Sequence, residues 1–259
     1  MFEEIYHEYL VHKNEQNRKE RYEGKEGWYH ASGAGFCSRK LYYESVEKAK
    51  PTNLANQTSM RVMRLGTIVH EDIEKSIAYY NNIYNNNISN DTVSNNSINN
   101  SNILPEDRRV EIDTEGEIEL KQFNVRGYFD ILARGENNNK LYDIKTASNW
   151  SFKMKFGRNS IDATNRNHFM QLATYGLGVE EKHGSIDGMS LLYYNKDNSY
   201  IKEQVVPLSY LSVAKKYWRA INDEHSRGLP AFRIGSSPYK DWCCAYCQYR
   251  DHCDPPKFK

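Results

Sequence analysis

Two carboxylates and a lysine carry the clearest chemical signal in the chain. Asp130 closes Gly127-Tyr128-Phe129-Asp130; after twelve intervening residues comes Asp143-Ile144-Lys145-Thr146. Paired carboxylates at one point hold a hard divalent cation, Mg²⁺ or Mn²⁺, through oxygen ligands. Hydrolysis of a phosphodiester needs such an ion beside the scissile phosphate, together with a water activated for in-line attack. Side chains alternate along a strand, so Asp143 and Lys145 share one face. The Ile144 side chain then enters the core, and its carbonyl is free to act as a third ligand. The tripeptide alone is common, since Glu23-Gly24-Lys25, Glu119-Leu120-Lys121 and Glu180-Glu181-Lys182 have the same form. What separates Asp143-Ile144-Lys145 is the apolar strand context of Leu141-Tyr142 and an aspartate on the preceding strand. The bland alternative is a surface hairpin with alternating charges.

Other candidates lie on either side. His70 ends Gly66-Thr67-Ile68-Val69-His70, with Glu74 one helical turn further on. Gln171 and Tyr175 share a helix face by their spacing of four. Residues 151–168 carry four Lys or Arg against one Asp, interleaved with Phe152 and Phe156. Lys153, Lys155 and Arg158, with Arg166 and His168 beyond, suit a channel in which charge holds phosphates and rings stack on bases. A solvated loop anchored by its phenylalanines fits the same residues.

Cys37 stands near the start, and Cys243, Cys244, Cys247 and Cys253 crowd near the end. Met1-Phe2-Glu3-Glu4 lacks the basic and apolar regions of a signal peptide, and no apolar run approaches the roughly 18 residues of a membrane span. The expected compartment is the cytoplasm (a host's, if the chain is viral), with no membrane contact. Thiols stay reduced there, so disulfides explain the cysteines poorly. Four thiolates suit a [4Fe–4S] cluster or a tetrahedral zinc. Cys243 and Cys244 are adjacent and could exchange roles.

The elements that must position these residues follow from periodicity. Among 259 residues, 39% are hydrophobic and 27% charged, as in an ordinary globular chain, and the net charge of +1 does not announce a nucleic-acid binder. Phe2, Ile5, Tyr6, Tyr9 and Leu10 predict an opening helix, followed by a polar stretch at 13–27. A glycine-containing turn then leads to a short helix near Cys37. Val62, Leu65, Val69, Ile73 and Ile77 form one stripe of a helix over 59–80. Half of residues 81–102 are Asn, which predicts a solvated insertion. The period then becomes two: strands at 110–113 and 118–120 around a Glu115-Gly116 turn, at 125–133 and at 141–146. A helix over 168–176, a hairpin of 189–194 with 200–206, and a helix over 208–227 complete the pattern. The fold class is α/β.

The order of His70, Gly127-x-x-Asp130, Asp143-x-Lys145 and Gln171-x-x-x-Tyr175 resembles the motif series of RecB-like PD-(D/E)XK nucleases, over roughly residues 28–253 with the Asn-rich stretch as a departure. Cys37-Ser38-Arg39-Lys40-Leu41-Tyr42-Tyr43, with Cys244-x₂-Cys247-x₅-Cys253, resembles the clasp of AddB-type and CRISPR-associated exonucleases of that group. The resemblance implies a restriction-endonuclease-like core, a mixed central sheet flanked by helices, with N- and C-terminal segments clasped by a metal cluster. It implies that His70, Asp130, Asp143 and the Ile144 carbonyl hold Mg²⁺ or Mn²⁺, with Asp130, Asp143 and Lys145 catalytic. Gln171 and Tyr175 would position the DNA or brace Lys145, and Cys37, Cys244, Cys247 and Cys253 would bind [4Fe–4S]. One nuclease domain over 1–259 is expected: a helical part at 1–58, a core at 59–227 and a cysteine-rich tail at 228–259. The implied activity is DNA exonuclease action on single strands or ends, with a helicase, recombination or CRISPR partner. A catalytically silent DNA-binding module with the same cluster, or with zinc, is the alternative.

Overall fold

The change of period near Val110 marks where helices give way to sheet. The structure, a computed structural model, describes residues 1–22, 27–89, 110–135, 138–157, 166–231 and 241–253. Helix α1 (Phe2–Tyr22) outruns its apolar stripe into the expected polar stretch. Residues 13–21 are Lys, Glu, Gln, Arg and Asn, mostly straight-chain side chains that lose little rotamer freedom in a helix. Strand β1 (Tyr29–His30) and helix α2 (Ser38–Leu41) follow, with Cys37 at the α2 N-cap.

Helix α3 (Gln57–Ser89) also exceeds its prediction. Residues 81–89 continue it in place of the expected insertion, whose remainder, 90–102, lies outside the described residues. Extending an existing helix adds a hydrogen bond for each residue fixed, and Asn81 Nδ2 ties this turn to the Ile112 carbonyl of the sheet at 2.9 Å. The expected stripe is only partly inward: Val69, Ile73 and Ile77 are half-buried, while Val62 and Leu65 are 47% and 53% exposed. Gly66 lies over the sheet, where a Cβ would meet Thr146 Oγ1 at 3.1 Å.

The sheet is mixed. Strand β2 (Glu111–Leu120) runs antiparallel to β3 (Val125–Gly135) along its whole length. The other edge of β3 is shared: β1 lies parallel to Val125 and Arg126, and β4 (Asn138–Ala147) pairs antiparallel with Ile131 to Gly135. Strand β4 then pairs in parallel with β5 (Gly188–Asn195). Their connection passes through α4 (Asn149–Phe156) and α5 (Arg166–His183). Strand β6 (Ile201–Val206) closes the sheet as a hairpin with β5. The basic segment that begins at Ser151 starts within α4, whose N-cap Ser148 accepts from Ser151 N at 3.3 Å.

The turn expected at Glu115-Gly116 is not formed: β2 passes straight through. Rungs join Thr114 to Ile131 and Gly116 to Phe129, leaving Glu115 opposite Asp130. Glu115 adopts φ 53°, a left-handed kink within a continuous strand. Gly116 serves packing, because a Cβ there would sit 2.0 Å from Phe129 Cζ.

Helix α5 fills one face of the sheet with Leu172, Ala173, Tyr175 and Val179. It exceeds the predicted 168–176 because its glycines admit neighbours; at Gly178 a Cβ would meet Ile118 Cβ at 2.5 Å. Helix α6 (Ser209–Ser226) covers α5 through Trp218, which is fully buried. Trp218 Nε1 donates to Thr174 Oγ1 at 2.9 Å, and Thr174 donates onward to the Met170 carbonyl.

The tail returns to the N-terminal segment with helix α7 (Asp241–Ala245) and the turn after it. Tyr43 Oη donates to the His252 carbonyl, and Asn53 Nδ2 to the Cys247 carbonyl. No helix among the described residues is long and apolar enough to cross a membrane. Trp218→Ala should cost about 3–5 kcal/mol, since it empties the α5–α6 contact and removes the donor to Thr174 Oγ1. Urea unfolding should show a lower midpoint with an unchanged slope; a loss below about 1 kcal/mol would contradict this packing.

Candidate active site

Strands β3 and β4 part at the point where the two aspartates face each other. Their ladder runs from Gly135 opposite Asn138 to Ile131 opposite Tyr142, and the next rung would be Asp130 opposite Asp143. That rung is not made. Beyond it the Ile144 N–H donates to Asp130 Oδ2 at 2.6 Å, so a carboxylate replaces a backbone carbonyl. Strand β4 meanwhile keeps its parallel rungs to β5 through Asp143, Ile144 and Lys145. The fork keeps both aspartates buried and near one another.

Lys145 Nζ makes an ion pair with Asp143 Oδ2 and donates to Gln171 Oε1 at 3.2 Å. Gln171 Nε2 donates to Tyr175 Oη at 2.8 Å and reaches Asp143 Oδ1 at 3.5 Å. The two α5 residues therefore brace the Asp143–Lys145 pair. The glycine of Gly127-x-x-Asp130 makes room for them, since a Cβ there would lie 2.8 Å from Tyr175 Cε1 and 2.9 Å from Ala31 Cβ. From the opposite side α3 brings His70 Nδ1 to 3.6 Å from Asp130 Oδ2.

Negative charge is crowded here. Burial, and then the charge of Asp143, hold the Asp130 carboxyl well above the usual carboxylate range, against the pull of Lys145 and the Ile144 N–H. Burial and neighbouring Glu115 push Glu74 up to about 7. Burial and Lys145 lower the His70 pKa, opposed by Asp143, Glu115 and the Ile144 backbone. Glu74 and Glu115 thus join the site, although neither belongs to the motifs that the sequence presents. The position of Glu74 one turn after His70 was a legible signal; Glu115 was hidden by the turn expected there. A carboxyl whose pKa is raised by burial and by a neighbouring carboxylate, as at Asp130 and Glu74, is the setting that a divalent cation relieves, and the oxygen-rich donor set suits Mg²⁺ or Mn²⁺. Among the described residues no three His, Cys, Asp or Glu side chains already surround a common point. Asp130 is turned to the Ile144 N–H and Asp143 to Lys145.

Of the basic residues, Lys153 is exposed on α4. Lys155 packs over the Tyr193 ring at 5.1 Å, and burial brings its pKa down to about 8. Arg158 lies outside the described residues.

The cysteines are free thiols, all half-buried. Burial pushes the Cys247 thiol up, with Cys37 and Cys244 near enough to add to the effect. Arg39 Nη1 donates to Cys253 Sγ at 3.4 Å. The fold thus draws the tail cysteines to the segment carrying Cys37, although their thiols do not stand in a ligand arrangement.

The family profile of the PD-(D/E)XK nuclease superfamily matches residues 98–254. Among solved structures, the crystal structure of SSO0001 is similar over 100% of both chains, with a TM-score of 0.53 and 19% identity, a likeness of fold. An alkaline exonuclease (LHK-Exo) from Laribacter hongkongensis is similar at 11% identity and a TM-score of 0.34, over 46% of this chain and 59% of that one. No curated protein matches the sequence.

The raised Asp130 pKa has a consequence for stability. Its contribution to the metal-free fold is complete below the unfolded value of about 4 and is lost as pH rises through the higher folded value. Asp130→Asn keeps an acceptor for the Ile144 N–H and removes the buried charge. Thermal melting in EDTA at pH 8 should therefore show the variant about 2–4 °C more stable than the parent, with the gain shrinking toward pH 5. A variant less stable at pH 8 would contradict the assigned crowding.

Proposed function

The chain belongs to the PD-(D/E)XK nuclease superfamily, and from that premise we propose that it is a Mg²⁺- or Mn²⁺-dependent deoxyribonuclease of the RecB-like type, acting as an exonuclease on single-stranded DNA or DNA ends. Its architecture is that of the superfamily, a mixed central sheet flanked by helices. The observation that carries the activity is the fork at Asp130 and Asp143, with Lys145 held between Asp143 and Gln171.

His70, Asp130, Asp143 and the Ile144 carbonyl would hold the cation, which would supply Lewis-acid polarisation of the scissile phosphate and a more acidic water. The rest follows from the chain's own side chains. Lys145 orients the attacking water and offsets the charge that develops on the phosphate oxygens. Its ammonium has two fixed partners, so little reorganisation is needed as the reaction proceeds. Gln171 and Tyr175 keep those partners in place, and the buried floor of the fork strengthens every charge interaction above it. The substrate would be placed by α4 and the chain after it, through Lys153, Lys155 and Arg158. Unwinding would fall to a helicase partner, because this sequence carries no P-loop. Recombination, repair, CRISPR adaptation and viral DNA processing, in a cytoplasm, are the settings that fit.

The proposal includes a [4Fe–4S] cluster on Cys37, Cys244, Cys247 and Cys253. It is supported by the docking of the tail on the Cys37 segment, where Arg39 donates to Cys253, and by the nearness of both Cys37 and Cys244 to Cys247. Only one Cys-x-x-Cys pair is present, whereas a zinc ribbon usually has two. The cluster would close a loop of about 200 residues, at an entropic cost that grows only logarithmically with length.

The first test is cleavage of end-labelled single- and double-stranded DNA with Mg²⁺, Mn²⁺ or EDTA. Cleavage should need the metal and fall by at least about 100-fold in Lys145→Ala. Folded parent protein that binds DNA without cutting it would instead indicate the silent binding module. For the cluster, anaerobically purified parent should contain iron, and Cys247→Ser should lose iron and melt at lower temperature. A variant with the parent's iron content and stability would remove the clasp from the proposal.

A further inference from the structure

A second set of polar groups stands beside Lys145, on the side away from His70. Lys145 and Tyr193 are register partners across the parallel β4–β5 pair, so their side chains leave the same face of the sheet. Tyr193 is 1% exposed, and its hydroxyl lies 2.8 Å from His168 Nδ1. Its ring is held by the edge of Phe156 and supports the Lys155 ammonium. A phenol against a neutral imidazole donates its proton to the ring, which leaves the imidazole hydrogen on Nε2. His168 stays neutral, because burial, Lys145 and Lys155 together hold its pKa down to about 3. Among the described residues Nε2 has no partner, and the side chain is only half-buried. Two cations and a neutral donor therefore face one region; the charge of Asp143 reaches Tyr193, while among the described residues the charges acting on His168 are those of Lys145 and Lys155.

We propose that the His168 Nε2–H and the Lys155 ammonium, both set in place by Tyr193, form a cradle beside Lys145 for a backbone phosphate adjoining the scissile one. This rests on the nuclease reading and adds to it a position for the bound strand. His168 touches the substrate as an uncharged donor, while Tyr193 is a positioning residue that fixes the tautomer. A neutral donor suits a phosphate that must be held in register and then released, since it adds direction without adding charge.

The test uses single-stranded oligonucleotides, each with one neutral methylphosphonate at a successive position. Binding is read by fluorescence anisotropy in EDTA, and cleavage separately in Mg²⁺ or Mn²⁺. With the parent, one position near the cleavage site should weaken binding by about tenfold. In His168→Ala that penalty should vanish, while the slope of affinity against salt stays unchanged. Lys155→Ala should also lose it, and its slope should fall by about 0.7. Tyr193→Phe, which preserves packing, should give a partial loss at the same position and reads the cradle even if His168→Ala does not fold. A parent-like profile in folded His168→Ala or Tyr193→Phe, with cleavage intact, overturns the cradle and leaves the nuclease standing. Parent protein that binds but does not cut overturns the nuclease, while the binding profile still reads the cradle. Parent protein that binds no DNA overturns both.

Discussion

Everything at the site depends on a single missing rung. Where β3 and β4 would continue their ladder, the Asp130 carboxylate takes the Ile144 N–H and the strands diverge. A buried backbone N–H must find an acceptor, and here a side-chain carboxyl oxygen supplies it. The fork is therefore satisfied without a backbone partner, and β4 is free to follow β5 instead. The same divergence leaves an edge of β3 to which β1 attaches at Val125 and Arg126. Two carboxylates then share a buried place, where burial and the charge of Asp143 oppose the ionisation of Asp130.

The surrounding elements make that arrangement tolerable. Lys145 shares a strand face with Asp143 and neutralises it, and Gln171 joins both of them to Tyr175. Tyr175 can reach this position only because residue 127 has no side chain, so a glycine on β3 and a tyrosine on α5 act as one unit. Helix α3 closes the other side with His70 and Glu74, and the kink at Glu115 turns another carboxylate toward the same space. The sheet fixes the acidic groups, while the two helices supply the groups that bias their charge.

Far from the fork, a polar network joins the two ends of the described chain. Tyr29 Oη lies 2.7 Å from His225 Nδ1, and Ser38 Oγ donates to Glu224. Arg39 reaches both the Pro230 carbonyl and Cys253. These contacts tie β1 and α2 to the end of α6 and to the tail without any metal. Strand β1 is held partly by them, so the tail and the edge of β3 are mechanically linked.

Residue order alone determined a good deal. Alternation in 125–133 and 141–146 marked β3 and β4, and Asp143-Ile144-Lys145 stood out for its apolar context. The spacing of Gln171 and Tyr175 placed both on one face of α5, where each bonds the other. These are local properties, set by periods of two and 3.6. Other features were decided by partners distant in sequence. Gly116 read as a turn, yet it is the space occupied by Phe129, and β2 continues through it. Val62 and Leu65 fit an apolar stripe, but the face of α3 that meets the sheet is the one carrying Gly66 and His70. Residues 81–89 read as polar insertion, but a helix already anchored by Asn81 extends through them. The roles of Glu74, Glu115 and His168 depend on which carboxylates and lysines face them across the fold. A periodicity is written in neighbouring residues, whereas charge crowding and shared space exist only once strands and helices have met.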